Sequence, residues 1–371
     1  MILGLKMYQG QINGNFAPFQ KKSPDKITIF TLKMKKIRIA INGFGRIGRV
    51  FCRQMQRFEY LELVAINDLT DPHTLCHLLK YDSVHRAFPG TVDYSDSHLI
   101  INNKKVVVLN IAQPELIPWK DLDIDVVVES TGNFTCKADA AKHLAAGARK
   151  VMISAPAKGE SDDIQYVVLG VNDHLINWNV PIISNASCTT NNVAPLIMIL
   201  DKNWGIEKGF ITTVHSYTRD QHLLDAPHKD LRRGRAAAYS IVPTTTGAAK
   251  AATRIFPHLN HNLGGAGIRV PVPDGSLTDF TCTLKKSTSI EEINQHFKEA
   301  AEGNLRGILQ YTEDPIVSTD VIGNTHSAVF DAQLTAVLGD KNKLVKVVAW
   351  YDNEMGYSTR LAELIGRFAG N

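Results

Sequence analysis

The sequence predicts an α/β protein, with a doubly wound parallel sheet in its first half and an α+β domain on a mixed or antiparallel sheet in its second half. In the first half, short apolar runs alternate with segments of helical spacing, which is typical of parallel strands joined by helical crossovers. A glycine-rich turn joins the first apolar run to the first helical segment. After Cys188 the apolar runs lengthen, which indicates a second kind of sheet.

The first unit has a strand–helix–strand pattern. IRIAI at 37–41 and LELVAI at 61–66 are short apolar runs that predict buried strands. Between them, apolar residues recur at helical spacing from Arg46 to about Arg57. These three segments predict a βαβ unit.

The same alternation continues beyond this unit. A hairpin is expected to turn at Asn102 and Asn103, because asparagine tolerates a positive φ. A strand at 125–131, a helix at 137–148 and a strand at 150–156 follow. The first half therefore predicts a Rossmann-type sheet.

The second half contains longer strand-like segments. They lie at 210–218, 268–273, 277–286 and 343–352. A helix is expected to begin at Ser289, because Glu292 completes a capping box three residues later. The last segment, 353–370, has the pattern of an amphipathic helix. We expect a mixed or antiparallel sheet with helices on one face.

Composition excludes several classes of protein. The 371 residues are 44% hydrophobic and 21% charged, which is ordinary for a globular chain of two domains. The net charge of +4 comes from 41 basic and 37 acidic residues scattered along the chain, so no nucleic-acid partner is expected. Five cysteines without a CxxC pair predict neither a disulfide framework nor a metal site, and they favour a reducing, cytoplasmic setting. No apolar stretch reaches the roughly 18 residues of a membrane span.

GFGRIG at 43–48 matches the phosphate-binding pattern of dinucleotide-binding proteins. Gly43 and Gly45 permit a tight turn and a close approach of backbone to a pyrophosphate, while the next helix supplies N–H groups. Asp68 follows the second strand, about 20 residues after Gly48, which is the spacing of an acidic side chain that binds the adenosine ribose. Since this carboxylate would repel a 2′-phosphate, NAD is favoured over NADP. The alternative is a glycine-rich turn without a ligand.

Cys188 is the candidate nucleophile. It lies in SNASCTTNN at the predicted start of a helix, where N–H groups and the helix dipole favour a thiolate. His215, in the next predicted strand, could stabilise the thiolate and carry a proton. The alternatives are a small buried cysteine and a core histidine, and sequence spacing alone does not prove that the two residues meet.

A thiolate beside a nicotinamide predicts aldehyde oxidation. Attack on the carbonyl gives a hemithioacetal, loss of a hydride to the cofactor leaves a thioester, and water or phosphate then takes the acyl group. Several residues offer neutral donors and one guanidinium suited to phosphate: Ser187, Thr189, Thr218, Thr246, Gly247 and Arg269. Ser187 or Thr189 could instead only cap the helix.

Several segments together resemble the phosphorylating glyceraldehyde-3-phosphate dehydrogenase family. They are INGFGRIGR, SNASCTTN, TVHSYT, DQ, HKDLRRGRAAA, PTTTGAAKA, IRVPVP and VAWYDNEMGYS, and the similarity runs from about Lys36 to the C-terminus. The resemblance implies glycolytic, NAD-dependent oxidation of D-glyceraldehyde 3-phosphate with inorganic phosphate to 1,3-bisphosphoglycerate. It further implies a cytoplasmic homotetramer.

The resemblance also implies roles for individual residues. Cys188 is similar to the family's nucleophile and His215 to its base, which lowers the pKa of the cysteine and donates to the developing oxyanion. Thr218 and Arg269 resemble contacts to the phosphate of the substrate. Contacts to the attacking inorganic phosphate are expected from Ser187, Thr189, Thr246 and Gly247, with Arg269 shared.

Further roles that the resemblance implies concern the cofactor. Asn353 is similar to the side chain that fixes the nicotinamide carboxamide, and Tyr357 lies beside that ring. The other expected cofactor residues are Arg46 and Ile47 in the glycine loop and Thr131 and Ser154 at strand ends. Residues 217–240, basic at Arg232, Arg233 and Arg235, resemble a loop that reaches the cofactor of a neighbouring subunit; a solvated charged face is the alternative.

The predicted domain organisation follows from these assignments. Residues 34–187 plus 353–371 are expected to form the NAD-binding domain, and 188–352 the catalytic and phosphate-binding domain. Residues 1–33 are rich in Lys, Gln and Asn and are expected to be a disordered tail or a product of an upstream start codon, with a targeting peptide as the alternative.

Three positions depart from the family's pattern. Asn192 stands where many relatives have a second cysteine, Arg219 stands where the family often has Asn, and Ala226 slightly weakens the case for strict NAD preference.

Two other functions remain open. One alternative function is an erythrose-4-phosphate dehydrogenase, although the retained TTTG at 244–247 favours phosphate as the acyl acceptor. The other is a regulatory NAD-binding protein without turnover, which could tolerate loss of the catalytic residues.

Overall fold

The computed structural model of the protein describes residues 35–159, 164–339 and 341–370. The prediction for residues 1–33 lies outside the described residues. All elements given below fall within Lys36–Asn371, which form one compact unit of the chain.

The first half of the described chain forms a nine-stranded sheet with three helices. Its strands are β1 (Ile37–Asn42), β2 (Leu61–Asn67), β3 (Val92–Ser95), β4 (His98–Ile101), β5 (Lys104–Leu109), β6 (Val126–Glu129), β7 (Lys150–Ile153), β8 (Gln165–Tyr166) and β9 (Ile182–Ser184). Its helices are α1 (Arg46–Met55), α2 (Pro72–Lys80) and α3 (Lys137–Ala145). The predicted βαβ unit is therefore present as β1, α1 and β2.

The strand order of this sheet places a ligand crevice at its centre. The order is β3-β4-β5-β2-β1-β6-β7-β9-β8, and the pairs from β5 to β8 are parallel. The chain moves outward from β1 in one direction and then restarts at β6 on the other side. In open sheets of this type, ligands bind where the order reverses, at the carboxyl ends of the strands. The loops after β1 and β6 meet at that point.

An antiparallel edge completes the first sheet, and its turn follows the prediction. β3, β4 and β5 pair antiparallel. Asn102 and Asn103 have φ values of 49° and 64°, the left-handed conformation that a two-residue hairpin turn of this kind requires. The predicted hairpin is confirmed.

The second half forms an eight-stranded sheet with three helices on it, followed by a final helix. Its strands are β10 (Ile206–Ser216), β11 (Val242–Thr244), β12 (Leu263–Val270), β13 (Ser276–Leu284), β14 (Leu309–Thr312), β15 (Ala328–Asp331), β16 (Ala336–Leu338) and β17 (Leu344–Tyr351). Its helices are α4 (Cys188–Trp204), α5 (Ala248–Ile255), α6 (Ile290–Glu302) and α7 (Met355–Ala369). The capping box predicted at Ser289 and Glu292 is confirmed at the start of α6.

This second sheet is mixed and carries its helices on one face. The order is β11-β12-β10-β13-β17-β15-β14, with β16 also paired to β17. β10 and β12 are parallel, whereas β13 is antiparallel to both β10 and β17. On β13 the buried residues alternate strictly with half-buried ones, because α4 packs on one face while the other face stays partly open. The predicted fold class is confirmed.

The predicted last helix is present as α7, but its first half is buried on all sides. In α7, every residue from Met355 to Ala362 is buried, and α7 packs against α1 and also contacts α4. A helix between other helices loses its solvent-facing side, so its polar residues must find partners inside. Arg360 does so, since its Nη1 donates to the carbonyl oxygen of Gly307 at 2.8 Å.

Candidate active site

Cys188 is the first residue of α4, as the sequence predicts, and it follows a strained turn. The Ser187 hydroxyl caps the helix by accepting a hydrogen bond from the backbone N–H of Thr190 at 3.0 Å. Ala186 has a φ of 52°, a left-handed conformation that costs free energy when a Cβ is present. The Tyr357 hydroxyl donates to the carbonyl oxygen of Ala186 at 3.1 Å. These contacts fix the backbone that carries the thiol.

His215 meets Cys188. Its Nε2 atom lies 3.5 Å from the Cys188 Sγ atom. His215 is buried, whereas Cys188 is only half-buried. The structure thus brings together two residues whose proximity the sequence left open.

Arg269 lies beside His215 in the neighbouring strand β12 and is in register with it. Its Nη1 atom is 2.6 Å from His215 Nδ1 and donates to the Ser216 carbonyl oxygen at 2.9 Å. His215 Nδ1 is itself 2.8 Å from that carbonyl oxygen. The guanidinium can only donate and favours an unprotonated Nδ1, whereas the carbonyl oxygen favours a protonated one. The two neighbours of Nδ1 therefore favour opposite tautomers of the imidazole.

Burial and Arg269 determine the pKa values of this pair. Burial raises the pKa of the Cys188 thiol, while the charge of Arg269 and the backbone N–H of Thr189 oppose that rise. Burial, and then Arg269, lowers the pKa of His215 to about 3. The net direction for Cys188 is opposite to the one predicted from its place at a helix N-terminus, because loss of solvent outweighs the N–H groups. The thiol and the imidazole are both neutral near neutral pH in this state.

Tyr351 supports the pair from inside the core, and the sequence did not predict it. Its hydroxyl lies 2.9 Å from the Oγ1 atoms of both Thr189 and Thr213. Its ring meets the His215 ring edge to face, with centroids 5.9 Å apart. Such contacts orient an imidazole without charging it. The Thr189 hydroxyl, a predicted phosphate contact, is therefore engaged with Tyr351.

Asn353 is held through its side-chain oxygen. Its Oδ1 atom accepts hydrogen bonds from the Ser216 hydroxyl at 2.9 Å and the Ser276 hydroxyl at 2.8 Å. These two donors identify the oxygen end of the amide, so the NH₂ group remains to donate to a ligand. Ser216 directly follows His215, which links Asn353 to the catalytic pair. Neither serine was predicted from the sequence.

Two glycines at the loop after β1 have no room for a side chain. Gly43 has a φ of 91°, and a Cβ there would stand 2.6 Å from the backbone nitrogen of Thr131. A Cβ on Gly48 would stand 2.3 Å from the carbonyl oxygen of Gly43. Both positions therefore require glycine. Thr131, in the loop after β6, lies directly against the glycine loop.

The polar residues around the glycine loop are already ordered by one another. Asp68 accepts a hydrogen bond from the backbone N–H of Phe44 at 2.7 Å. Arg46 donates to Asp82 at 2.5 Å and from Nε to Glu354 at 2.8 Å. Glu354 directly follows Asn353, so this ion pair joins the glycine loop to the segment that carries the amide. Ile47 follows Arg46 in the first turn of α1.

Glu129 organises the loops after β6 and β7. Its Oε1 accepts from the Thr131 backbone N–H at 2.8 Å, and its backbone carbonyl accepts from the N–H of Ser154 at 3.0 Å. His143 Nε2 lies 3.1 Å from its Oε2, while Trp119 Nε1 donates to His143 Nδ1 at 3.0 Å. The indole requires an unprotonated Nδ1, so the imidazole carries its proton on Nε2 and donates it to Glu129. The carboxylate is thus fully paired although it is buried.

Three predicted phosphate contacts remain, and they lie in the segments that follow β10 and precede α5. Thr246 and Gly247 precede α5, just beyond β11, which pairs with β12 at Arg269. The Thr246 hydroxyl accepts from the backbone N–H of Ala248 at 3.2 Å. Thr218 lies in the loop after β10. Among the described residues, none of these three contacts Cys188 or His215.

Comparison with known proteins identifies the family. Residues 37–137 match the model of the glyceraldehyde 3-phosphate dehydrogenase NAD binding domain, and residues 187–353 match that of the C-terminal domain. A glyceraldehyde-3-phosphate dehydrogenase from Thermotoga maritima is 54% identical over 330 residues, which cover 88% of this chain and 98% of the relative. This chain belongs to the glyceraldehyde-3-phosphate dehydrogenase family.

Other members of the glyceraldehyde-3-phosphate dehydrogenase family match over nearly their full lengths. The Geobacillus stearothermophilus protein is 51% identical over 334 residues, which cover 90% of this chain and 98% of the relative. The Mycobacterium avium protein is 53% identical over 336 residues, which cover 89% and 97%. The predicted resemblance is confirmed, and so is NAD as the cofactor. In the described part of the chain, no helix has the length and apolarity needed to span a bilayer.

The residues of this family member fit the dinucleotide. Gly45 leaves open space beside the loop, since the nearest atom is 3.9 Å from a Cβ placed there, and the first-turn N–H groups of α1 follow it. Asp68 lies at the end of β2 beside the loop, and Asn353 keeps an amide NH₂ to donate. The α1 N–H groups, the Asp68 carboxylate and the Asn353 amide therefore match a pyrophosphate, a ribose hydroxyl and a carboxamide, respectively.

A buried acidic cluster beside Asn353 was missed by sequence reasoning. His85, Asp274 and Glu354 bring one ligand atom each within 4.8 Å of one another. Asp352 accepts from the backbone N–H groups of Gly323, Glu354 and Met355. Burial raises the pKa of Asp274 and of Asp352. No periodic pattern in the sequence could have indicated this cluster, because its members come from three distant turns.

Proposed function

We propose that this protein catalyses the NAD-dependent oxidation of D-glyceraldehyde 3-phosphate, with inorganic phosphate, to 1,3-bisphosphoglycerate. The observation that carries this proposal is the 3.5 Å separation of Cys188 Sγ and His215 Nε2 in a member of the glyceraldehyde-3-phosphate dehydrogenase family. A thiol beside a buried imidazole and a guanidinium is suited to attack an aldehyde that carries a phosphate.

The first chemical step uses the neutral pair. The Cys188 proton passes to His215 Nε2 while Sγ forms a bond to the carbonyl carbon. The electron pair of the C=O double bond moves to oxygen, and the imidazolium returns its proton to that oxygen to give the hemithioacetal. Because burial and Arg269 disfavour the charged imidazole, the proton is only held there briefly.

The second stage forms and cleaves a thioester on Cys188. When bound, NAD supplies the acceptor for the hydrogen and electron pair that leave the hemithioacetal carbon. His215 Nε2 removes the hydroxyl proton as the carbonyl re-forms. A phosphate oxygen then attacks the thioester carbon, the C–S bond breaks, and the acyl phosphate leaves. The thiolate regains its proton from His215.

The phosphate contacts that we propose come from six residues. Arg269 would serve both the substrate phosphate and inorganic phosphate, because its guanidinium is beside His215 and is only half-buried. Thr218 would add a contact to the substrate phosphate. The contacts to inorganic phosphate would come from Ser187, Thr189, Thr246 and Gly247.

The proposed cofactor contacts come from both halves of the chain. Asp68 would bind the adenosine ribose, Asn353 the carboxamide, and Tyr357 would lie beside the nicotinamide ring. The remaining contacts would come from Gly43, Gly45, Arg46, Ile47, Gly48, Thr131 and Ser154. With these roles, residues 34–187 plus 353–371 would form the NAD-binding domain and 188–352 the catalytic domain.

A homotetramer working in the cytoplasm is part of the proposal. Four large apolar side chains of loop 217–240 are highly exposed in the single chain: Leu223 73%, Leu224 75%, Leu231 85% and Tyr239 91%. Exposed apolar groups clustered in one loop favour a subunit contact. In the same loop, Arg233 pairs with Asp220 and Arg235 with Asp225, so these charges support the loop itself.

The experiment compares Cys188→Ser with Cys136→Ser. We expect Cys188→Ser to lower the rate of glyceraldehyde 3-phosphate oxidation by roughly a thousandfold or more, because a serine hydroxyl is not ionised by this environment. Cys136 caps α3, a role that serine also fills, so the control should keep normal activity. Near-normal turnover in Cys188→Ser would contradict the covalent mechanism.

Substrate and acceptor are tested in the same assay. Initial rates are measured with glyceraldehyde 3-phosphate or erythrose 4-phosphate, each with and without inorganic phosphate. We expect phosphate-dependent oxidation of glyceraldehyde 3-phosphate. Faster oxidation of erythrose 4-phosphate that is independent of phosphate would instead assign the protein to the other dehydrogenase class.

A further inference from the structure

Arg219 reaches from the catalytic half of the chain to the glycine loop. It is an exposed residue in the loop after β10. Its Nη1 atom lies 3.9 Å from the point where a Cβ on Gly45 would stand. Gly45 is the N-cap residue of α1, the helix whose first N–H groups follow the glycine loop. The guanidinium is therefore next to the predicted place of the dinucleotide pyrophosphate.

The charge of Arg219 is not neutralised by the protein. Among residues 35–159, 164–339 and 341–370, no carboxylate pairs with its guanidinium and no acceptor receives a hydrogen bond from it. Two other arginines at this loop differ, because Asp82 and Glu354 already bind Arg46 and because Arg49 donates to the carbonyl oxygen of Phe44. The first turn of α1 contains no acidic residue that could compete for a cation. Arg219 is thus the guanidinium at this loop that is available to an anionic ligand.

The backbone around Arg219 is fixed by short contacts on both sides. The N–H of Gln221 donates to the carbonyl oxygen of Thr218 at 2.9 Å, which closes a turn around Arg219. Arg233 Nη1 donates to Asp220 Oδ2 at 2.5 Å. A fixed backbone lowers the entropy cost of placing a long side chain on a ligand.

We propose that Arg219 donates hydrogen bonds to the pyrophosphate of the dinucleotide bound by the same chain, opposite the N-terminus of α1. The inference rests on the proposed function, since it assigns one more contact to that cofactor site. The guanidinium and the helix N–H groups would both attract the negatively charged pyrophosphate, so both would strengthen cofactor binding. Because NAD and NADP share this group, Arg219 should strengthen binding of both equally. Arg219 is a positioning residue for the cofactor and takes no part in the chemistry.

The test measures binding directly with Arg219→Asn and the control Arg306→Asn. Arg306 is an exposed arginine in the turn after α6, so the control makes the same change of charge outside the site. Dissociation constants for NAD, ADP-ribose and adenosine are measured by calorimetry. We expect Arg219→Asn to weaken NAD and ADP-ribose about tenfold at low salt and to leave adenosine unchanged. The control should match the unmodified protein, and added salt should reduce the difference.

The possible results separate this inference from the proposed function. Equal affinity of Arg219→Asn and the unmodified protein for NAD would overturn the inference and leave the proposed function standing. A raised KM for the aldehyde or for inorganic phosphate, with NAD affinity unchanged, would likewise assign Arg219 to another ligand. If the unmodified protein bound no NAD, the proposed function itself would fail, and the inference with it.

Discussion

One guanidinium influences both members of the catalytic pair. Arg269 contacts the Nδ1 side of His215 at 2.6 Å, on the far side of the ring from Cys188. Its charge lowers the pKa of His215 and opposes the rise in the pKa of Cys188 that burial causes. Arg269 therefore favours a charged Cys188 thiolate beside a neutral His215 imidazole. This role is separate from the phosphate contact proposed for it.

The first prediction concerns Arg269→Gln. Removing the charge should raise the pKa of Cys188 further, since burial would then be less opposed. We expect the pH midpoint for alkylation of Cys188 by iodoacetamide to move to higher pH, by about one unit. The rate should be followed at cysteine 188 by mass spectrometry. An unchanged midpoint in Arg269→Gln, with Arg306→Gln as the control, would show that Arg269 does not act on the thiol.

At the scale of elements, two turns hold the segment that carries Asn353. The turn before β13 contains Asp274 and leads to Ser276, while the turn after β17 contains Asp352 and Glu354. Ser276, the first residue of β13, donates to Asn353 in the second turn. The buried carboxyl groups of Asp274 and Asp352 lie beside this link, and the charge of Asp352 adds to burial in raising the pKa of Asp274. Packing of the two turns therefore disfavours the ionised form of Asp274.

The second prediction concerns Asp274→Asn and the dependence of stability on pH. Burial raises the pKa of Asp274 in the folded protein above its unfolded value of roughly 4. The folded state then binds the Asp274 proton more tightly than the unfolded state does, and this stabilises the folded protein. The stabilisation is complete at pH values below the unfolded pKa. It is lost as pH rises through the folded pKa. Asparagine carries no titrating proton, so Asp274→Asn should lack this loss of stability as the pH rises.

The measurement is chemical denaturation at several pH values between about pH 5 and pH 9. The free energy of unfolding should fall less with pH in Asp274→Asn than in the unmodified protein. Asp121→Asn, an exposed position, should follow the unmodified protein. Parallel pH dependences for all three proteins would mean that Asp274 does not titrate with folding.

At the scale of the molecule, the single chain leaves two surfaces incompletely covered. One is the face of the second sheet that carries no helices, where β13 presents half-buried side chains. The other is loop 217–240 with its exposed leucines. The exposed leucines of the loop favour association, because burying them removes unfavourable hydration. Both surfaces belong to the catalytic half of the chain, so assembly would act close to the site.

The third prediction concerns Leu231→Asp. An aspartate at this position, which is 85% exposed in the single chain, should disrupt a subunit contact without disturbing the fold of the chain. We expect analytical ultracentrifugation to show a shift from tetramer towards smaller species, together with weaker NAD binding. Leu175→Asp changes a leucine that is 72% exposed outside the loop and should leave the assembly unchanged. A tetramer that persists in Leu231→Asp would exclude this loop from the contact.

The sequence by itself determined the elements whose signals are local. The βαβ unit, the Asn102–Asn103 turn, the capping box at Ser289 and the start of α4 at Cys188 all depend on residues a few positions apart. The glycine pattern and the position of Asp68 likewise indicated a dinucleotide site, because strand, turn and helix follow one another along the chain.

Only the tertiary structure decided which distant residues meet and what their surroundings do to their charges. The pairing of β10 with β12 brings Arg269 beside His215, and the packing of α4 against the second sheet brings Cys188 within 3.5 Å of that imidazole. The same packing removes solvent from the site, which reverses the direction of the pKa shift expected for Cys188. Tyr351, Ser216, Ser276 and the cluster around Asp274 were missed for the same reason. Hydrogen bonding and desolvation depend on the neighbours in space, and those neighbours are far apart in the chain.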